Sequence, residues 1–238
     1  GEQTHGFLMH DGTIRVPMLL RGPGIEKGAK VMDAVSHVDI APTLLDLAGL
    51  PLHEGMQGKD LRQGGSDTSY SEALTGQFNL GLAALYAATD DDGRYMEGSW
   101  GGWYDAKEDR VTTLPDRGDH TARAEALGVM RARFDEVVGE SIALDATAME
   151  QLAALGYVGG DITAEAGEID PRDVIDVIPL TWQARQAIGA GRFPMAETLI
   201  SRLEKAMPET FGVDLLRAQF LRRQGRFDEA TTRFTDLY

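Results

Sequence analysis

The tripeptide Gly191-Arg192-Phe193 returns as Gly225-Arg226-Phe227, 225 − 191 = 34 residues later. Two alanines keep the same register: Ala184 recurs as Ala218, and Ala196 as Ala230. A helical segment with this period folds as stacked helix pairs, because one pair cannot bury its apolar face alone. Small residues at Ala184 and Ala196 let two helices approach, Phe193 packs at the turn, and Pro208 ends the second helix. Residues 175–238 are therefore expected to be all-α, with the second repeat running to Tyr238 inside its second helix.

Upstream the pattern is mixed. Ile14 to Leu20, IRVPMLL, is a short apolar run closed by Arg21-Gly22-Pro23-Gly24, which predicts a buried strand. Pro17 pushes it towards an edge or a strand end. In VSHVDIAPTLLDLAGL, Asp39 can cap a helix, Pro42 suits its first turn, and Leu44, Leu45, Leu47 and Ala48 form a stripe. Gly49 ends it. A strand followed by a helix predicts an α/β fold. Residues 51–68 read as a loop. Strand-like pieces follow at Ser69–Ala73, Leu82–Thr89, Arg94–Glu97 and around Trp103-Tyr104-Asp105.

Asp90-Asp91-Asp92-Gly93 reads as a hairpin turn. A calcium loop spreads its oxygen ligands over about twelve residues and ends on Glu, which this stretch does not. Thr121–Val138 has helical spacing, and Thr147-Ala148-Met149-Glu150 has the spacing of a capping box opening a helix that ends at Gly156. Residues 116–160 are thus a helical extension, and the acidic, Gly-containing residues 161–174 a linker.

The net charge of −15 argues against a general nucleic-acid or anionic-membrane binder. The absence of Cys removes disulfides, Cys-ligated zinc and a Cys nucleophile from these 238 residues. No apolar run approaches the roughly 18 residues a spanning helix needs.

The first fifty residues, GEQTHGF…TIRVPMLLRGPG…VSHVDIAPTLLDLAGLP…GKDL, resemble the later part of a sulfatase catalytic domain of the alkaline-phosphatase superfamily. SYSEA, GRYM and WYD resemble the small antiparallel subdomain that follows it. The 34-residue period is that of tetratricopeptide repeats, and ALGYVGG resembles the junction where bacterial sulfatase-like proteins continue into them. The resemblance implies a sulfatase-like portion over residues 1–115 and tetratricopeptide repeats over 175–238.

It also implies a sulfate-ester substrate, a divalent metal such as calcium, and a formylglycine nucleophile. Metal ligands and nucleophile are expected upstream of Gly1, with none of the metal ligands in these residues. The piece alone is then expected to be inactive and poorly soluble. Close alternatives are a phosphodiesterase or phosphonate hydrolase on the same fold, and a non-catalytic module that binds a protein partner through the repeats. A periplasmic or extracytoplasmic setting fits a bacterial sulfatase.

Matched to the family loop, THG makes His5 the candidate catalytic residue, contacting the sulfate or helping the ester oxygen leave; imidazole titrates near working pH. Glu2 of the same loop is expected to hydrogen-bond behind the reacting groups. His10 and Asp11 could suggest a metal site, but adjacent loop residues rarely converge on one ion. Arg15 is expected to pair with a nearby carboxylate and fix its strand. His37 and Asp39 would share a strand face, or Asp39 caps the helix. Trp100, Trp103 and Tyr104 could line a sugar cleft or cover the small sheet, and the sheet is the favoured reading.

Overall fold

The computed structural model describes residues 6–30, 35–64, 68–105, 110–114, 120–135 and 167–237. The chain separates into two interleaved units. One contains Gly1–Leu8, Ala73–Leu85 and Val138–Tyr238; the other contains Met9–Glu72 and Tyr86–Val137.

The second unit is built on an antiparallel meander. Its strands are β1 (Ser69–Ala73), β2 (Leu85–Thr89), β3 (Arg94–Glu97), β4 (Gly101–Asp105) and β5 (Arg110–Thr113), adjacent in that order. The β2–β3 register pairs Thr89 with Arg94, and the β3–β4 register pairs Arg94 with Tyr104. The connection at Asp90–Gly93 is the expected hairpin turn. The Asp90 carboxylate accepts from the amides of Asp92 and Gly93 at 3.0 and 3.1 Å. A Cβ on Gly93, whose φ is +156°, would lie 2.3 Å from the Trp103 ring, so the turn requires glycine.

Helix α4 (Thr121–Asp135) covers this sheet. Ala124 and Leu127 pack with Ala88 and Tyr95. The strand β5 and the helix α3 (Thr75–Leu80) were not legible in the sequence: β5 is polar, and α3 is shorter than two turns.

The strand expected over Ile14–Leu20 does not form. Residues 11–14 make a single helical turn, α1 (Asp11–Ile14), and 15–20 have no ladder. A strand exists only through a partner. None pairs with this run among the described residues, and Pro17 removes one of its donors. Leu19 is 96% exposed, and Val16 and Leu20 are also open to solvent.

The helix α2 (Ile40–Leu47) forms as expected, preceded by a 3-10 turn at His37–Asp39, and Gly49 follows it at φ +67°. Its buried face differs from the expected stripe. Pro42 and Thr43 are inside, while Leu44 and the following Leu50 are exposed.

The other unit is helical. Its elements are α3, α5 (Pro171–Val174), α6 (Pro179–Gly189), α7 (Phe193–Ala206), α8 (Phe211–Arg223) and α9 (Phe227–Asp236). Helix α6 packs on α7 and α8 on α9, and α8 also packs on α6, α7 and α3.

The 34-residue period is present in the backbone. Arg192 has φ −83° and ψ 62°; Arg226 has φ −85° and ψ 65°. The amide of Arg192 donates to Ala187 O, and that of Arg226 to Leu221 O, the same bond one period on. Gly191 and Gly225, at φ +70° and +82°, take the left-handed conformation that this helix ending needs. Ala184, Ala218, Ala196 and Ala230 are all buried, as small side chains between packed helices would be.

The linker expected over 161–174 is packed from Gly167 onward. Ala83 N donates to Ile169 O, Gly167 N to Leu82 O, and Asp170 and Pro171 are buried. Here Asp170 accepts from the amide and guanidinium of Arg172 and caps α5, so an acidic residue that reads as linker is structural. The helix expected to open at Thr147 lies outside the described residues.

Two outcomes test these packing statements. Ala196→Leu should destabilise the helical unit by about 1–3 kcal/mol through overpacking, read from the denaturation midpoint of its helical signal. The second concerns the Asp90 carboxyl. Burial favours its neutral form, but the hydrogen bond and charge of Arg123 prevail and hold its pKa below the usual 3.8. A lowered folded-state pKa gives stability that is present above pH 3.8 and lost as pH falls through the folded value. Arg123→Gln should therefore lower stability at neutral pH and narrow its gap to the parent protein below pH 3.8.

Candidate functional site

The segment that follows His5 in sequence is well packed. Gly6 has φ +98°, and Phe7 packs against the helical core, whereas Leu8 and Met9 are buried. From Met9 the chain lies on the antiparallel sheet. The guanidinium of Arg94 on β3 donates from Nη1 to Met9 O at 2.7 Å, from Nη2 to Asp11 Oδ1 at 3.1 Å, and from Nε to Thr89 Oγ1 at 3.0 Å.

Tyr104 on β4 adds a third contact to this segment. Its ring lies 4.9 Å below the Arg94 cation, and its hydroxyl accepts from the amide of Asp11 at 3.2 Å. His10 meets the same ring edge-on at 5.2 Å. Arg94 is 5% exposed. Burial pushes its pKa below the ordinary value, against the hydrogen bond and charge of Asp11, and it stays a cation. Nothing in the local sequence singles out Arg94. The one available signal is an arginine at a buried position of β3, whose sequence is Arg-Tyr-Met-Glu.

Asp39 forms a second buried centre. Its Oδ2 accepts from the amide of Ser36 at 3.0 Å and its Oδ1 from the amide of Lys59 at 2.8 Å. Thr43 Oγ1 donates to Asp39 O at 2.6 Å and accepts from the amide of Leu61 at 2.9 Å. The carboxylate therefore ties the Gly-rich loop to α2. His37 is exposed while Asp39 is buried, so the two do not present a common face.

Trp103 stacks on His120 at 4.4 Å, with the Arg123 cation 4.7 Å from its ring. Arg123 in turn bonds Asp90 and Asp92. Tyr104 is buried, and Trp100 and Trp103 are half-buried. These aromatics cover the sheet, the favoured reading of the sequence.

His5 and Glu2 lie outside the described residues. Of the other candidates, Asp11 joins Arg94 and Arg15, the latter at 3.4 Å in an exposed pair. Arg15 thus finds the expected carboxylate without the expected strand. Among the described residues no group of three or more His, Cys, Asp or Glu converges to hold a metal ion.

Residues 5–74 match the family model described as N-sulphoglucosamine sulphohydrolase, C-terminal. The matched span contains His5, Asp11 and Asp39; Arg94 and the helical repeats lie beyond it. Arylsulfatase K of Homo sapiens is 30% identical over 137 residues, 57% of this chain and 26% of that protein. Arylsulfatase K of Danio rerio is 46% identical over 59 residues, 25% of this chain and 11% of that protein. The extracellular sulfatase SULF-1 homolog of Drosophila melanogaster is 46% identical over 48 residues, 20% and 4% of the two chains.

The chain spans about a quarter of the length of the first curated relatives it matches. No solved structure matches it. The similarity is therefore to sulfatases, at family level and over the segment that holds the His5 loop, α2 and its loop. The mixed α/β fold with a small antiparallel sheet is consistent with a sulfatase C-terminal domain.

Asp39→Ala should cost about 2–4 kcal/mol, since it removes two hydrogen bonds to a charged acceptor in a dry site. Asp39→Asn should recover part of the loss. Denaturant midpoints of the three proteins, with protease sensitivity of residues 51–64, measure both effects.

Proposed function

We propose that this chain works within a sulfatase-like hydrolase that cleaves sulfate esters. The observation that carries this reading is the sulfatase match over residues 5–74, a span that begins at His5. His5 is the catalytic residue of this chain. It contacts the transferring sulfate or gives a proton to the ester oxygen as the S–O bond breaks, so that the alcohol leaves neutral. Glu2 orients the loop by hydrogen bonding.

The resemblance implies a divalent metal, calcium by the family pattern, and a formylglycine nucleophile. The described residues contain no convergent donor set, and the chain has no Cys. A phosphodiester or phosphonate substrate is the near alternative, because a fold of this kind does not fix the chemistry.

The period in the backbone of residues 179–236 supports a second element of the proposal. These helices are tetratricopeptide repeats, and they present a surface to a protein partner. Trp182, 64% exposed on α6, is a large aromatic of the type that anchors such contacts. No described helix is long and apolar enough to cross a membrane.

The test is turnover of 4-nitrophenyl sulfate and bis-4-nitrophenyl phosphate by the protein expressed from its full reading frame, with and without a chelator. The expected result is chelator-sensitive sulfate release, with kcat about 10²-fold lower in His5→Ala. Preference for the phosphodiester would replace the substrate class. A folded protein silent on both would leave the interaction role of the repeats as the better reading.

A further inference from the structure

We infer that residues 15–20 and the outer side of α2 are a docking face for further sulfatase polypeptide: the portion of such a domain that lies outside the matched segment, meeting them with an apolar surface and an open strand edge. The inference rests on the sulfatase reading for its occupant, but not for the face.

Nine of the fourteen large hydrophobic side chains exposed among the described residues fall between Val16 and Met56. Single exposed residues of this type are ordinary, whereas their concentration marks an interaction site. Two features organise them, both within the second unit. Residues 15–20 carry Val16, Leu19 and Leu20 into solvent, Leu19 at 96%, with no ladder among the described residues. At α2 and the turn before it, Val38, Ala41, Leu44 and Ala48 recur at helical spacing and are all exposed. They form an apolar stripe on the side of the helix away from the buried Pro42 and Thr43.

This stripe is not free to roll inward. Asp39 holds the amides of Ser36 and Lys59, and Thr43 holds Asp39 O and the amide of Leu61. A Cβ on Gly58 would lie 2.0 Å from Val38 O, so the loop is also pressed close against that side. Turning Leu44 into the unit would break the bonds to Lys59 and Leu61 and leave buried polar groups unpaired. The helix is thus oriented by its polar side, and its leucine stripe gains stability only when something apolar covers it.

Residues 15–20 fit the same occupant. When this run is extended, the amides of Val16, Met18 and Leu20 point to one edge, and the other edge lacks a donor at Pro17. A strand added on the first edge finds every donor in place. Both features lie in the stretch matched to a family model described as C-terminal. Arylsulfatase K of Homo sapiens has about three quarters of its length outside its match to this chain. More of the same domain is therefore the occupant that accompanies this stretch.

The experiment uses the protein expressed from its full reading frame. These 238 residues contain no Cys, so Leu19→Cys and Leu44→Cys each place one new thiol on the face, with Ser201→Cys on the exposed side of α7 as reference. Maleimide labelling is read site by site by peptide mass, relative to the same thiol in denaturant. Amine cross-linking from Lys27 and Lys59 identifies what lies against the face, with isotopically mixed protein separating links within a chain from links between copies. Amide exchange over residues 15–20 in the parent protein needs no substitution and decides the question if a Cys variant does not fold. Turnover of 4-nitrophenyl sulfate by the parent is measured in parallel.

Leu19→Cys and Leu44→Cys should label about tenfold more slowly than Ser201→Cys, or slower still. Amides of residues 15–20 should exchange at least about tenfold slower than free peptide. Cross-links should run within one chain to polypeptide outside these 238 residues. Labelling at the reference rate, with unprotected amides, would overturn the docking face even in an active sulfatase. Protection that depends on protein concentration, with links only between copies, would overturn the occupant in favour of a second copy. Protection with links within one chain but no sulfate turnover would uphold the face and remove the sulfatase reading of the reaction.

Discussion

A guanidinium buried under a five-stranded sheet is the constraint on which the second unit depends. Removing Arg94 from water carries a desolvation cost of several kcal/mol, which only good local partners offset. The sheet supplies them in fixed register. Because Thr89 pairs with Arg94 and Arg94 with Tyr104, one residue on each flanking strand stands beside the cation. The hairpin at Asp90–Gly93 sets that register, and Arg123 neutralises the acidic turn from α4. Turn, sheet, covering helix and the Met9–Asp11 segment therefore form one connected set of charge-assisted bonds. Loss of a partner of Arg94 leaves a buried charge short of a bond, and such a loss costs more than a missing contact.

The helical unit is held differently. Its order comes from buried small side chains and from left-handed glycines at the turns, with ion pairs on the outside. Arg217 bonds Glu197 and Glu204, and Arg233 bonds Asp214. Arg217 is mostly covered, and its two carboxylates hold its pKa above the ordinary value against the opposing effect of burial. These pairs lock α7, α8 and α9 in register, whereas the apolar packing supplies the bulk of the stability.

This difference explains what could be read from the sequence. Helix periods, prolines in the first turn and a glycine after α2 are local signals, so α2 and α4 were legible within a few residues, and residues 175–238 as all-α. The repeat was the most legible feature, because the same backbone solution is written twice. The hairpin was legible for the same local reason. IRVPMLL was not, because a strand is defined by its neighbour rather than by its own composition.

Residues 167–172 read as linker because acidic residues usually face water, yet Asp170 is buried with its own arginine two positions on. At the candidate site, His5 is expected only by resemblance, and Asp39 stands at the N-cap position of α2 but spends its carboxylate on the amides of Ser36 and Lys59 rather than on that helix. Arg94 left almost no trace, since its two loop partners lie 85 and 83 positions away.

Charge sets one further condition on the proposed chemistry. A sulfate ester is an anion, and this chain carries a net charge of −15. Diffusing substrate therefore gains nothing from the chain's long-range field, which is screened beyond about 8 Å at physiological salt. Among the cations resolved in the structure, Arg62, Arg94, Arg123, Arg172, Arg217, Arg226 and Arg233 are already committed to carboxylates. Capture must then come from donors placed within contact distance of the sulfate rather than from steering. In such a site, affinity and rate both depend on the placement of a few groups rather than on added positive charge.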